Sequence, residues 1–407
     1  MAWESKRLDE IAMIQTGPFG SQLHKKDYVD VGTPIITVEH LGQYRIRRQN
    51  MPMVTNEDAN RLQKYSLLPG DIVFSRVGSV DQSSYVGKAE SGWLFSGRCL
   101  RVRPDANKAD PLFTYYALNT AGLKSYIRAI AVGATMPSIN TAILSEVPIS
   151  LPPLNEQQRI ATVLGSLDDK IAANQHILKI VNETIQAAWS HAAAASSAYV
   201  KLEEVIDINP RTVAPKGATL KTLEMKNLPE VGFSVDEWID REAKSGSRYQ
   251  NGDTLLARIT PCFENGKCGY VDFLETGAVG AGSTEFIVLR PQQGVPSAVP
   301  YVIARSADFR TFAAQTMTGT SGRQRVQHRG LKAYETVWPT SDSLTDFDSK
   351  TSPLLELAAK LRDENRVLAN TRDELLPLLM NGKISVREAE QEATSAGADI
   401  PSEEIEA

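Results

Sequence analysis

One pattern occurs twice in this chain, and in the same order. Leu68-Pro69-Gly70-Asp71-Ile72-Val73-Phe74-Ser75-Arg76-Val77 returns as Gln250-Asn251-Gly252-Asp253-Thr254-Leu255-Leu256-Ala257-Arg258-Ile259. Arg101-Val102-Arg103-Pro104 returns as Val288-Leu289-Arg290-Pro291, Gly133-Ala134-Thr135 as Gly319-Thr320-Ser321, and Leu151-Pro152 as Trp338-Pro339. The offset is 182 at Gly70/Gly252, 187 at Arg103/Arg290 and 186 at Gly133/Gly319, so loops changed length while the anchors kept their order. A single Gly-Asp turn before an apolar run is common. A whole ordered series, each copy followed by a helical pattern, points to duplication.

Within each copy, short apolar runs are punctuated by Gly, Pro, Asn and Asp. Thr33–Val38, Asp71–Ser75, Leu100–Val102 and Phe286–Leu289 have strand character, and Pro111–Leu118 and Tyr301–Arg305 have helical character. The expected fold class is α+β: two pseudo-repeated α+β domains separated by an antiparallel two-helix coiled coil. The expected boundaries are 1–150 and 199–345 for the two heads, 151–198 and 346–387 for the helices, and 388–407 for an acidic disordered tail.

The helical segments carry heptads. Over 154–189 the seam is Ile160, Leu164, Leu167, Ile171, Asn174, Leu178 and Val181, continuing to Ile185 and Ala188. One polar seam residue, Asn174, is expected to fix register at some expense of stability. Asn155 is expected to cap this helix. The second seam uses Leu354, Leu357, Leu361, Leu368, Leu375 and Leu378, with Glu364 and Thr371 as weaker positions. Pro377 is expected to bend or end the ladder, and Asn381-Gly382 to stop it. Each stripe needs an apolar partner, and pseudo-symmetric heads require the helices to run antiparallel. A helix of about 36 residues is roughly 50 Å long, a rigid spacer for the two heads.

The net charge is −5, but it is unevenly placed. Residues 1–150 carry 17 basic and 14 acidic side chains, whereas 346–407 carry 7 and 14. The last twenty residues hold seven acids and no base, which reads as a solvated end. Basic loops lie in the heads. Arg45, Arg47 and Arg48 stand beside Tyr44, Gln49 and Asn50, and Arg323, Arg325, His328 and Arg329 alternate with Gln324 and Gln327. Arginine, glutamine and asparagine make bidentate bonds to guanine and adenine edges, and arginine neutralises phosphates. Arg76 and Arg258 end the repeated run, and Thr135 lies in the repeated glycine loop; all three join the candidate DNA contacts.

No Walker loop, H-E-x-x-H, G-x-S-x-G or strand-linked G-x-G-x-x-G is present. Asn209-Pro210-Arg211-Thr212 lacks the second proline and aromatic of a base-clamping methyltransferase loop. Cys262 and Cys268 are too widely spaced for a usual zinc pair and have no second pair nearby, so no metal is expected. No apolar run is long enough to span a membrane, and Met1–Arg7 has no apolar signal core, so a cytoplasmic protein is expected. The residues describe a binding protein.

Leu151-Pro152-Pro153-Leu154-Asn155-Glu156-Gln157-Gln158-Arg159-Ile160, leading to Leu167-Asp168-Asp169-Lys170-Ile171, resembles the central conserved region of the specificity subunits of type I restriction-modification systems. Gly17-Pro18-Phe19-Gly20-Ser21-Gln22-Leu23 resembles a motif opening their first target-recognition domain, which adds Gly17, Phe19 and Ser21 to the candidate DNA contacts. Asp207-Ile208-Asn209-Pro210-Arg211 resembles an opening of the second. Arg372–Gly382 resembles their distal conserved helix. The resemblance implies a non-catalytic subunit that reads a bipartite, gapped site in double-stranded DNA. It implies docking of two modification (methyltransferase) subunits, which carry S-adenosylmethionine, and of restriction subunits with nuclease and translocase roles. The competing readings are a coiled-coil adaptor that binds protein through both heads, and a self-contained DNA methyltransferase or nuclease.

Overall fold

The computed structural model describes residues 3–401 apart from 19, 21, 195, 243–244 and 321. Phe19, Ser21, Ser321 and the last six acidic-tail positions therefore lie outside the described residues. The chain forms two compact units, Met1–Ala172 with Val367–Ala407, and Ala173–Arg366.

Both units are built on the same internal plan. In the first, an antiparallel sheet has the order Ala12–Thr16, Cys99–Pro104, Ile72–Ser75, Ser83–Tyr85. In the second, Ile206–Ile208, Phe286–Pro291, Thr254–Ala257 and Cys268–Tyr270 repeat that order and sense. Each unit also has a mixed sheet. Thr33–Ile36 pairs antiparallel with Met53–Val54 and parallel with Leu94–Phe95. Thr219–Leu223 does the same with Ile239–Glu242 and Gly280–Gly282. A two-stranded ribbon completes each, Glu4–Arg7 with Pro148–Leu151 and Tyr199–Lys201 with Glu335–Val337.

The repeated Gly-Asp is a brace in both places. The Asp71 carboxylate is buried, accepts from Leu68 N at 2.8 Å, and takes a two-pronged bond from Arg103 at 2.6 and 2.7 Å. Asp253 accepts from Gln250 N at 2.8 Å and from Arg290 at 2.7 Å on both oxygens. The preceding Gly70 and Gly252 hold φ of +93° and +88°, where a side chain is strained. Turn, carboxylate and arginine thus lock the central strand of each sheet to its neighbour.

The central helix runs Leu154–Ala194 and the distal helix Ser341–Met380. Asn155 is not a cap. The helix begins one residue earlier, with Glu156 N and Gln157 N bonded to the Pro153 carbonyl. The Gln157 amide is buried, bonding Pro152 O at 2.8 Å and accepting from Asp110 N at 2.9 Å, which ties the helix start to the cap of Pro111–Leu118. Ile160, Leu164, Leu167, Asn174 and Val181 are buried and Ile171 and Leu178 half-buried. In the second unit Asn174 donates to Glu364 and Asn365 at 2.9 and 3.0 Å, while Trp189 packs edge-on against Phe347. The two helices are therefore antiparallel there.

The distal seam differs from the apolar reading. Leu361, Leu368 and Leu375 are buried, but Leu357 is 40% exposed. The buried line is Phe347, Thr351, Leu355, Ala358, Leu361, Arg362, Leu368, Arg372, Leu375 and Leu379. An apolar-only pattern skips Thr351, Arg362 and Arg372, which are inside because they have partners. Arg362 pairs with Asp272 and Arg372 with Asp168.

Pro377 does not end the distal helix, which runs on to Met380 and stops at Gly382 with φ +67°. Pro353 also lies within it, and both prolines are exposed. Each removes one ladder bond on an outer face without disturbing the seam. Pro353→Ala is expected to stabilise the second unit by up to about 3 kcal/mol, read as a higher denaturant midpoint; an unchanged midpoint would mean that the helix has already absorbed the missing bond.

The segment from Glu388, expected as a disordered tail, is ordered as far as it is described. Val386–Ser395 is a helix whose Ser385 and Glu388 form a reciprocal capping box. Val386, Ala389 and Ala393 are buried in the first unit's core. Their three- and four-residue spacing outweighs the acidic composition. No described helix is long and apolar enough to cross a membrane. Among the described residues no His, Cys, Asp and Glu group is suited to hold a metal ion.

Candidate nucleic-acid interface

In each unit the central strand runs out into an arginine, and a closed loop lies against it. In the first unit, Val132 and Ser138 exchange backbone hydrogen bonds of 2.9 and 2.8 Å. Gly78 N bonds Pro137 O at 2.8 Å, and Ile139 N bonds Arg76 O at 3.0 Å. In the second, Thr318 and Arg325 exchange bonds of 3.1 and 2.9 Å, Thr260 N bonds Gln324 O at 3.0 Å, and Val326 N bonds Arg258 O at 2.8 Å. Gly133 and Gly319 turn these loops with φ of +107° and +126°.

Arg76 is half-buried and donates to Gly97 O at 3.1 Å. Thr135 is exposed at the loop tip. Gly17 is buried, where an added Cβ would collide with the Ser96 carbonyl, so its part is to let two backbones meet. Sequence reasoning passed over Arg98, Val132 and Met136, which are exposed around the same strand ends. Arg98 O accepts from Arg76 N at 2.8 Å, and its side chain has no ion pair among the described residues. Aligning the two copies would have exposed Arg98, because the equivalent position is Glu285.

Glu285 organises the second unit's site. Arg325 donates to both its oxygens at 2.9 and 3.0 Å, and Arg258 Nε lies 3.9 Å away. His328 is half-buried with Nδ1 unpartnered; burial first, then the charges of Arg258, Arg329 and Lys332, hold its pKa below the ordinary imidazole value. Arg323 and Arg329 are exposed and no ion pair holds them among the described residues.

The Arg45–Arg48 segment belongs to the first unit. It is tacked to the edge strand Ser83–Tyr85 by Gly42 N to Ser84 Oγ at 2.8 Å and Gln82 Nε2 to Leu41 O at 2.6 Å. Arg45 lies 4.4 Å over the Tyr44 ring and pairs with Asp169 of the central helix. Arg48 pairs with the buried Glu90 and lies over Trp93. Only Arg47 of the three is exposed without such a partner among the described residues. The geometry thus places Thr135 on the loop tied to the strand end at Arg76, links Arg258 and Arg325 through Glu285 with Arg323, His328 and Arg329 close by in sequence, and holds Arg45 and Arg48 in ion pairs.

Residues 2–183 match the family model of the type I restriction modification DNA specificity domain. Over these residues the chain is similar to that family. The specificity domain has curated relatives of the same kind. One is a putative type I restriction enzyme specificity subunit, MjaX, of Methanocaldococcus jannaschii, 31% identical over 188 residues, 44% of this chain and 43% of the relative. Another is the EcoEI specificity subunit of Escherichia coli, 25% identical over 202 residues, 47% of this chain and 33% of the relative. The chain thus spans less than half the length of these relatives. Beyond the specificity domain, the fold as a whole resembles the type I restriction-modification S subunit from M. genitalium, with TM-score 0.57, 14% identity, and coverage of 93% of this chain and 96% of that one.

Proposed function

We propose that this chain is the non-catalytic DNA-specificity subunit of a type I restriction-modification complex. Each unit reads one half of a bipartite, gapped site in double-stranded DNA. Two methyltransferase subunits, which bring S-adenosylmethionine, dock on the chain, restriction subunits join them, and the assembly works in the cytoplasm. The observation that carries this reading is the repetition of one site: two sheets of the same order, each running out into an arginine beside a pinned loop, with an exposed cation at hand, Arg98 in the first unit and Arg323 in the second. A split target read by two similar heads matches that repetition. Profiling adenine methylation of host DNA with and without this gene tests it. A gapped motif that loses methylation on deletion is expected; an unchanged methylome would remove the proposal.

Within this reading the exposed and the paired arginines differ in effect. Arg323→Ala with Arg329→Ala is expected to weaken binding of the assembled complex. Base reading would cost about 1–3 kcal/mol and relax one half-site. Phosphate contact would weaken all sequences alike and reduce the salt slope by about 0.9 for each charge lost. Arg47→Ala should act on DNA binding, whereas Arg45→Ala and Arg48→Ala should mainly lower stability. Salt titrations of DNA affinity beside denaturant melts separate the cases, and unchanged affinity and slope for Arg323→Ala/Arg329→Ala would remove that loop from the interface.

A further inference from the structure

The two pinned loops are built alike but end in opposite chemistry. In the second unit, Thr318–Arg325 presents the exposed cation Arg323. In the first, Val132–Ser138 presents Val132 and Met136, 63% and 66% exposed. Single exposed apolar side chains are ordinary. Here two stand on one short loop that is tied down at both ends, beside Arg76 and the exposed Arg98. Ser138 Oγ adds a further bond to Val132 O at 3.1 Å, and the Gly133 turn is tight enough that a Cβ there would lie 2.8 Å from Met136 O. The loop has little freedom to fold its apolar groups back, and the flanking arginines suit an anionic partner.

On duplex DNA the major groove offers one apolar landmark, the C5 methyl of thymine. We infer that Val132 and Met136 contact a thymine methyl in the half-site read by the first unit, while Arg323 supplies a cationic contact in the other. The inference rests on the proposed function and deepens it, by assigning the chemistry of the base edge that each loop meets. Because the loop is pinned beforehand, the contact needs little ordering on binding.

Deoxyuridine lacks only the C5 methyl, so replacing thymines one at a time isolates the contact. The assembled complex is titrated with duplexes carrying its methylation site, each thymine replaced in turn. One replacement is expected to weaken binding roughly fourfold, the worth of one buried methyl-sized group. Val132→Ala/Met136→Ala should bind the parent duplex more weakly and be indifferent to that replacement. Arg323→Ala should keep the full deoxyuridine effect. Both apolar side chains are mostly exposed, so the double variant should melt with the parent protein. Sequence-specific binding with no deoxyuridine effect would overturn the inference, as would an effect that persists in the double variant or a site without thymine. A complex that binds every sequence alike would instead overturn the specificity-subunit reading on which it rests.

Discussion

Arg372→Met is expected to destabilise the first unit by about 3–5 kcal/mol, because it leaves a buried carboxylate without its countercharge. Arg372 donates to Asp168 Oδ1 at 2.5 Å and to Asp373 at 2.7 Å, and Tyr116 donates to Asp168 Oδ2 at 2.7 Å. Asp168 is 4% exposed. Burial already holds its pKa above the ordinary carboxylate value, and Arg372 is the main opposing influence. Without Arg372 the pKa rises further. A carboxylate whose folded pKa exceeds its unfolded one binds more protons when folded, so stability falls as pH rises between the two values. The deficit of the variant should therefore be full at neutral pH and shrink as pH falls toward the usual carboxylate range. Asp168→Leu with Arg372→Met should recover most of the loss, since an apolar pair needs no countercharge. Denaturant melts across pH measure this. A single variant within 0.5 kcal/mol of the parent, or a double variant as unstable as the single, would sink the account.

Asp71→Ala and Asp253→Ala should each cost about 3–5 kcal/mol, for one reason in two places. Each removes a buried carboxylate and leaves the two-pronged arginine, Arg103 or Arg290, with side-chain exposures of only 27% and 18%. A turn amide, of Leu68 or Gln250, is orphaned as well. Hydrogen exchange should localise the damage. Asp71→Ala should speed exchange in Ile72–Ser75 and Cys99–Pro104, and Asp253→Ala in Thr254–Ala257 and Phe286–Pro291. Losses below 1 kcal/mol in both would mean that the repeated Gly-Asp marks a turn and nothing more.

The parts of this protein that are local in sequence were legible from it. The duplicated run, the strand segments around Ile72–Ser75 and Phe286–Pro291, the helix Pro111–Leu118 behind Asp110 and the stop at Gly382 all follow from apolar spacing, turn chemistry and caps. The capping box at Ser385 and the spacing of Val386, Ala389 and Ala393 are local in sequence too, and they outweigh the acidic composition of the segment.

What the tertiary structure decided was the fate of the charges. Arg362 and Arg372 lie on a helix seam that apolar periodicity assigns to leucine, and Leu357 is displaced to solvent. Arg45 and Arg48 look like two members of one basic face. Their partners Asp169 and Glu90 lie 124 and 42 residues away, and pairing makes them structural anchors. Arg98 and Glu285 occupy equivalent places and leave one unit with an open cation and the other with a closed ion-pair cluster. The physical reason is common to all of these. Burying an apolar group depends mainly on its own surface, so a sequence pattern reveals it. Burying a charge depends on a countercharge at hydrogen-bond distance, and only the folded chain brings that partner there.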